Sequence, residues 1–249
     1  MSNRNRNHRT SIGSAQFATT HWSVVSAAGK PESTKYRQAL ETLCQTYWFP
    51  LYAYLRRQGH SCHQAEDYTQ AFFVYLLEKR GLRLADPKQG KFRSFLLAAL
   101  KNFVANELDY VHAQKRGGGE KILSLDIEDA EQKYGLEPIH QLSPEKIFER
   151  SWAMTVLNRT MTALQDEFAG KGKQKLFENL KVYLTVKKSP ISYRDAATQL
   201  NISEAAVKVT VHRLRKRYRE LLRNEIAQTV TTEEEISEEI RELFAALSN

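Results

Sequence analysis

Apolar side chains recur every three or four residues through most of this chain, and no stretch alternates convincingly between apolar and polar. Leu40, Leu43, Tyr47, Leu51, Tyr54 and Leu55 form one such stripe, and Ala65, Tyr68, Phe72, Phe73, Leu76 and Leu77 form a second. Phe95, Leu96, Ala99, Leu100, Phe103 and Leu108 give a third. Phe148, Trp152, Val156 or Leu157, Met161, Leu164 and Phe168 give a fourth. That spacing collects side chains on one face of a helix, whereas a half-buried strand needs a period of two. The expected fold class is all-α. The 11 Gly and 6 Pro among 249 residues are too few for a many-turned β architecture.

Punctuation along the chain sets the expected elements. Pro50 interrupts the first stripe and kinks it, and Gly59 ends it where a left-handed cap favours glycine. Ser61 opens the next helix as N-cap. A third helix is expected over 92–114, stopped by Lys115, Arg116 and three glycines. Ser143-Pro144-Glu145 supplies a hydroxyl cap, a proline at the first helical position and an acid in the first turn. Helices are also expected over 174–186, 192–199 and 203–226. The organisation read from these signals is a disordered basic arm (1–18), a helical domain (19–116), a flexible linker (117–143), a second helical domain (144–227) and an acidic C-terminal helix (228–249).

Charge narrows the partners. The chain carries 37 Lys+Arg against 29 Asp+Glu, a net +8. Between Val230 and Asn249 there are six Glu and one Arg, so the other 229 residues carry +13. A body that basic expects an anionic polymer. Two cysteines, Cys44 and Cys62, are too few for a disulfide scaffold and favour a reducing compartment. No apolar run approaches 18 residues, so no membrane insertion is expected. Arg4, Arg6 and Arg9 have no apolar stretch behind them, which is not the pattern of a secretory leader. The expectation is a soluble, cytoplasmic protein.

The segment from Tyr193 to Leu214 is the most specific. A short helix ends at Leu200, Ser203 caps the next, and small Ala196 and Ala197 let the two approach closely. Leu200, Ile202, Val207 and Val211 supply a shared core, the arrangement of a DNA-binding helix-turn-helix. Asn201 stands where many such motifs have glycine, and asparagine tolerates the left-handed conformation that the turn needs. On a helical wheel Val207, Val211, Leu214 and Tyr218 point inward, while Ala205, Ala206, Val209, His212, Arg213 and Lys216 lie opposite. Seven Lys/Arg and one acid lie between Lys208 and Arg223. Small residues permit entry into a major groove, and cations reach phosphates.

The first domain adds Ala65-Glu66-Asp67-Tyr68-Thr69-Gln70-Ala71-Phe72-Phe73, an acidic, amide-rich face backed by aromatics. Then comes Phe92-Arg93-Ser94-Phe95-Leu96, running on to Lys101-Asn102-Phe103, which interleaves cations, amides and aromatics as a surface for backbone and unpaired bases does. Phe95 and Phe103 read as core, and Arg93, Lys101, Asn102 and Asn106 as an exposed face. In this order, followed by a linker and a C-terminal helix-turn-helix, the chain resembles bacterial RNA polymerase sigma factors of the extracytoplasmic-function type over about 36–223. The family usually carries Leu-Pro-x-x-x-Arg where this chain has Leu164-Gln165-Asp166-Glu167-Phe168. The resemblance implies a sigma domain 2-like bundle and a sigma domain 4-like helix-turn-helix, with core RNA polymerase and promoter DNA as partners. It implies polymerase docking by Glu66, Asp67, Thr69, Gln70 and Phe73. It implies −10 contacts from Arg83, Lys91, Arg93, Lys101, Asn102, Asn106, Lys115 and Arg116. It implies −35 contacts from Ser203, Ala205, Ala206, Lys208, Val209, His212, Arg213 and Lys216. A separate anti-sigma protein is a further partner that the resemblance admits.

Enzyme readings find little support. Cys44, His60, Cys62 and His63 have poor spacing for zinc, and the adjacent Glu66 and Asp67 point about 100° apart on a helix. No nucleophile-base set and no phosphate-cradling glycine loop occurs, so no cofactor and no catalysis are expected. Two alternatives remain: a stand-alone helix-turn-helix regulator, and a DNA-processing enzyme using the motif for targeting. The acidic end has Ile236, Ile240, Leu243, Phe244 and Leu247 on one stripe. It reads either as a cap on the second domain or as a helix folded over a basic surface, restraining the factor.

Overall fold

A computed structural model describes residues 23–30, 34–78, 82, 85–86, 90–111, 127–136, 142–185 and 191–248. Eleven α-helices and no strand occur among them: α1 (Ser23–Ala28), α2 (Tyr36–Arg57), α3 (Cys62–Glu78), α4 (Phe92–Val111), α5 (Ile127–Gly135), α6 (Pro144–Gly170), α7 (Gln174–Leu180), α8 (Val182–Thr185), α9 (Tyr193–Leu200), α10 (Glu204–Ile226) and α11 (Glu233–Ser248). None of the described helices is long and apolar enough to cross a membrane. The arm expected over 1–18 lies outside the described residues.

α2 is the axis of the larger core. Leu43, Tyr47, Leu51, Tyr54 and Leu55 are buried along it, against α1, α3 and α6. The helix continues through Pro50, itself buried, rather than breaking there. After it Gly59 takes φ +98, and the His60 N–H reaches back to the Leu55 carbonyl. Ser61 and Gln64 then form a reciprocal capping box: Gln64 N–H donates to Ser61 Oγ (3.3 Å), and Ser61 N–H donates to Gln64 Oε1 (3.0 Å).

α6 joins everything. Ser143 caps it by accepting from the Lys146 N–H, and Pro144 fills the first turn, where no N–H is missed. Its first half buries Phe148, Trp152 and Val156 in the core built on α2, while Leu164 lies in a second core with Phe177, Leu180, Ala196, Val207, Val211 and Leu214. The boundary expected at residue 144 therefore falls at the start of a helix shared by both cores. Burying each large apolar side chain contributes about 1.5–3 kcal/mol, so Phe148 and Trp152 commit this half of α6 to α2.

Part of the segment expected to be a linker is a helix. In α5, Ala130 and Tyr134 are buried, and Glu131 accepts from Arg56 Nε (2.7 Å) and from the Tyr52 hydroxyl. The Arg56 pairing holds the Glu131 carboxyl below the usual range. Of the other linker residues, 117–126 and 137–141 lie outside the described set. α11 also departs from a cap on the second domain: Val230, Ile236 and Leu243, together with Leu222 and Ile226 of α10, join the larger core. Its start is fixed by Thr232, whose Oγ1 accepts from the Glu235 N–H, while Glu235 accepts from the Thr231 and Thr232 N–H groups.

Candidate nucleic-acid interface

The turn between α9 and α10 rests on one residue. Asn201 adopts φ 52 and ψ 48, the one non-glycine residue with positive φ among those described. Its N–H donates to the Thr198 carbonyl and that of Ile202 to the Ala197 carbonyl, which closes the end of α9 with Schellman-type bonds. Ser192 Oγ caps α9 by accepting from the Asp195 N–H, and Ser203 Oγ caps α10 by accepting from the Ala206 N–H (3.1 Å each). Ala196 and Ala197 are buried where the helices cross.

α10 sorts its side chains sharply. Val207, Val211 and Leu214 are buried, and Tyr218 is half-buried. Ser203, Ala205, Lys208, Val209, His212, Arg213 and Lys216 are exposed, and Ala206 is intermediate. Val209 keeps 49 % of its surface in solvent, an apolar side chain in the middle of a polar face. Lys208 pairs with Glu204 (2.7 Å), whereas Arg213 and Lys216 make no ion pair with a described residue. Arg215 donates to the Tyr183 carbonyl, and Arg217 is engaged by Glu167 and Glu220. Those two cations brace α10 on the rest of the fold. Neither belongs to the face expected to meet the −35 element.

The head of α4 is arranged differently. Arg93, expected on an exposed face, is only 4 % exposed. Its guanidinium carbon lies 4.5 Å from the centre of the Trp152 ring. Nε pairs with Glu149 of α6 (2.6 Å), and the two terminal nitrogens pair with Glu239 and Glu242 of α11. Lys91, half-buried, pairs with the same two glutamates. Burial alone would raise the Glu242 carboxyl, but hydrogen bonds from Lys91 and Arg93 outweigh it and hold the group below its ordinary value. Farther along α4, Lys101 pairs with Glu145 (2.7 Å), and this hydrogen bond raises the Lys101 ammonium and lowers the Glu145 carboxyl. Asn102 and Asn106 are exposed, and Phe103 is buried as expected for core. Arg83, Lys115 and Arg116 lie outside the described residues.

On α3 only part of the expected docking face reaches solvent. Asp67 is exposed and Gln70 half-buried, but Glu66, Thr69 and Phe73 are buried. Spacings of three and four put these last three on one side of the helix, which also carries Ala65, Phe72 and Leu76 inward. Thr69 satisfies its hydroxyl on the Ala65 carbonyl (2.6 Å), and Glu66 accepts from the Gln70 amide (2.9 Å). Cys44 is buried, and burial pushes its thiol up to about 12, far from a reactive thiolate. Among the described residues no three His, Cys, Asp or Glu stand together as a metal site. No family model, curated protein or solved structure matches the chain.

Proposed function

We propose that this chain is a promoter-specificity subunit of bacterial RNA polymerase, a sigma factor of the extracytoplasmic-function kind. In this reading α10 enters the major groove of a −35 element. Ala205 and Val209 lie against base edges, and Lys208, Arg213 and Lys216 reach phosphates or bases. Lys101, Asn102 and Asn106 of α4 serve the −10 element. Opening a duplex costs about 1.4 kcal/mol per step, which contacts to the freed strand offset. The chain is not itself an enzyme in this reading.

The observation that carries the proposal is the exposed face of α10, with its N-terminal end capped by Ser203 and its turn closed by Asn201. Transcription in vitro with core polymerase on a pool of genomic fragments tests it: defined start sites that depend on this chain are expected. Loss of core binding in the combined Asp67→Ala and Gln70→Ala variant would support docking through α3.

One observation favours a second reading. Glu66, Thr69 and Phe73, three of the five residues implied for polymerase docking, are buried. A stand-alone helix-turn-helix regulator needs no such surface. Failure to retain core polymerase, together with intact duplex binding, decides for that reading; failure of duplex binding as well would overturn both.

A further inference from the structure

α11 seats an apolar stripe on the larger core and, beside that stripe, sets two carboxylates on the cations at the head of α4. Glu239 (2 % exposed) and Glu242, one turn apart, both meet Lys91 and Arg93. Three carboxylates, counting Glu149, pair with two cations here. The match is imperfect. Glu239 Oε2 is fully buried and accepts no well-directed hydrogen bond, although Lys91 Nζ lies 3.2 Å away. A buried carboxylate oxygen left in that state is costly, so the closed arrangement is not the one that best satisfies these groups. A pocket of about 260 Å³ lies beside the cluster, lined in part by Arg93, Lys146, Glu149 and Glu242.

Without α11, Lys91 and Arg93 would join the already exposed Lys146 in solvent, with Glu149 as the single acid of this cluster outside α11, and the Trp152 indole lies behind the guanidinium. A planar fork of donors beside two ammonium groups suits a nucleic-acid backbone. α11 joins the body through the short connection after α10, and its apolar hold is confined to one stripe, with Ile236 and Leu243 buried and Phe244 49 % exposed.

We propose that Lys91 and Arg93, beside the exposed Lys146, form a phosphate-binding surface for single-stranded nucleic acid, and that α11 covers the first two in cis, with Glu239 and Glu242 standing where backbone phosphates bind. This rests on the reading of the chain as a DNA-binding protein and adds its regulation: the −35 face stays open, and the second surface becomes available when α11 lifts.

The test compares the full chain with its E239Q/E242Q variant, which keeps the apolar stripe. Binding of a fluorescent single-stranded oligonucleotide is followed by anisotropy across a salt series. The variant is expected to bind about tenfold tighter at low salt. Its log–log salt slope should steepen by about 1.4, the value for two further phosphate contacts on a single strand. Adding Lys91→Ala should cancel most of the gain. Hydrogen exchange on the unmodified chain gives a measure independent of how the variant folds: saturating oligonucleotide should strip protection from α11 amides. Unchanged protection of α11 in the bound state, or unchanged affinity in a variant with the wild-type melt, overturns the proposal and leaves α11 a structural clamp. Duplex binding that Arg213→Ala abolishes would then still support the parent reading. If neither duplex nor single strand binds either protein, both readings fail together.

Discussion

The two surfaces expected to meet DNA are built from the same residue types and end in opposite states. On α10, Arg213 and Lys216 stand in solvent with no described ion-pair partner, on a face whose small residues leave the backbone approachable. At the head of α4, Lys91 and Arg93 are held by Glu149, Glu239 and Glu242. The difference lies outside either local segment. Glu239 comes 146 residues after Arg93 in the chain, and α6 carries Glu149 and Trp152 to the same place. A cation's exposure here is a property of the tertiary fold, whereas the inward or outward assignment along α10 is a property of its own helical period.

The sharpest way to break the comparison is to remove the covered cation. Arg93→Ala leaves three carboxylates facing no guanidinium, and breaking a buried ion pair from one side costs about 3–5 kcal/mol. Urea unfolding should show that loss. Lys216→Ala, on the open face, should stay within about 0.5 kcal/mol of the wild type. Equal small effects would mean that the α4–α11 cluster contributes little to the folded state. Acid should separate the two surfaces as well. The Glu242 carboxyl is lowered from 4.5 in the folded chain, so its contribution is complete above that value and is lost as pH falls through the lower folded one. Acid unfolding should be less steep in E239Q/E242Q than in the wild type.

The same contrast appears in binding. Arg213→Ala should cost about 1–3 kcal/mol on the preferred duplex and relax specificity if the guanidinium reads a base. Lys208→Ala should weaken all sequences alike and reduce the salt slope by about 1. Full binding by both variants would contradict the assignment of this face to DNA. Binding titrations on matched and scrambled duplexes measure both.

What could be read in the sequence was local. The stripes on α2, α3 and α4, the serine caps at 61, 143 and 203, and the left-handed Asn201 follow from spacing and side-chain chemistry within a few residues. Arg93 could not be read this way, because its burial depends on carboxylates from α6 and α11. The helix α5 was equally hidden. Among its described side chains only Ala130 and Tyr134 are buried, and its Glu131 is anchored by Tyr52 and Arg56 of α2, far away in the chain. α6 was assigned whole to the second domain because its stripe passes from one core to the other between Val156 and Leu164 without a break in the helix.

The open face also depends on its turn. Asn201→Val places a β-branched residue at φ 52, where left-handed backbone costs about 1–2 kcal/mol for residues other than glycine or asparagine. A thermal melt should register that loss, and Asn201→Gly should show little or none. A wild-type melt for the valine variant would mean that the α9–α10 turn tolerates another backbone path. The covered surface should be indifferent to both substitutions, so the response of single-strand binding to E239Q/E242Q is expected to survive in either background.

The smallest expected effect concerns Val209. It is the exposed apolar side chain at the centre of the α10 face, one turn from Ala205. An apolar group there has one distinctive partner in the major groove, the thymine methyl. Replacing thymine by uracil removes that methyl and leaves every hydrogen-bonding group of the base in place. At about 0.8 kcal/mol for a buried carbon group, the loss is roughly fourfold in affinity at one position of the bound duplex. Val209→Ala shortens the reach, so the same uracil scan should then show no position with a deficit. If uracil is tolerated everywhere by the wild type, α10 is seated on phosphates with Val209 clear of the bases, and the cations alone account for its binding. The covered surface offers no counterpart to this test, because a contact to backbone phosphates does not distinguish thymine from uracil. The uracil scan therefore reports on α10 alone, even in E239Q/E242Q, where both surfaces are open.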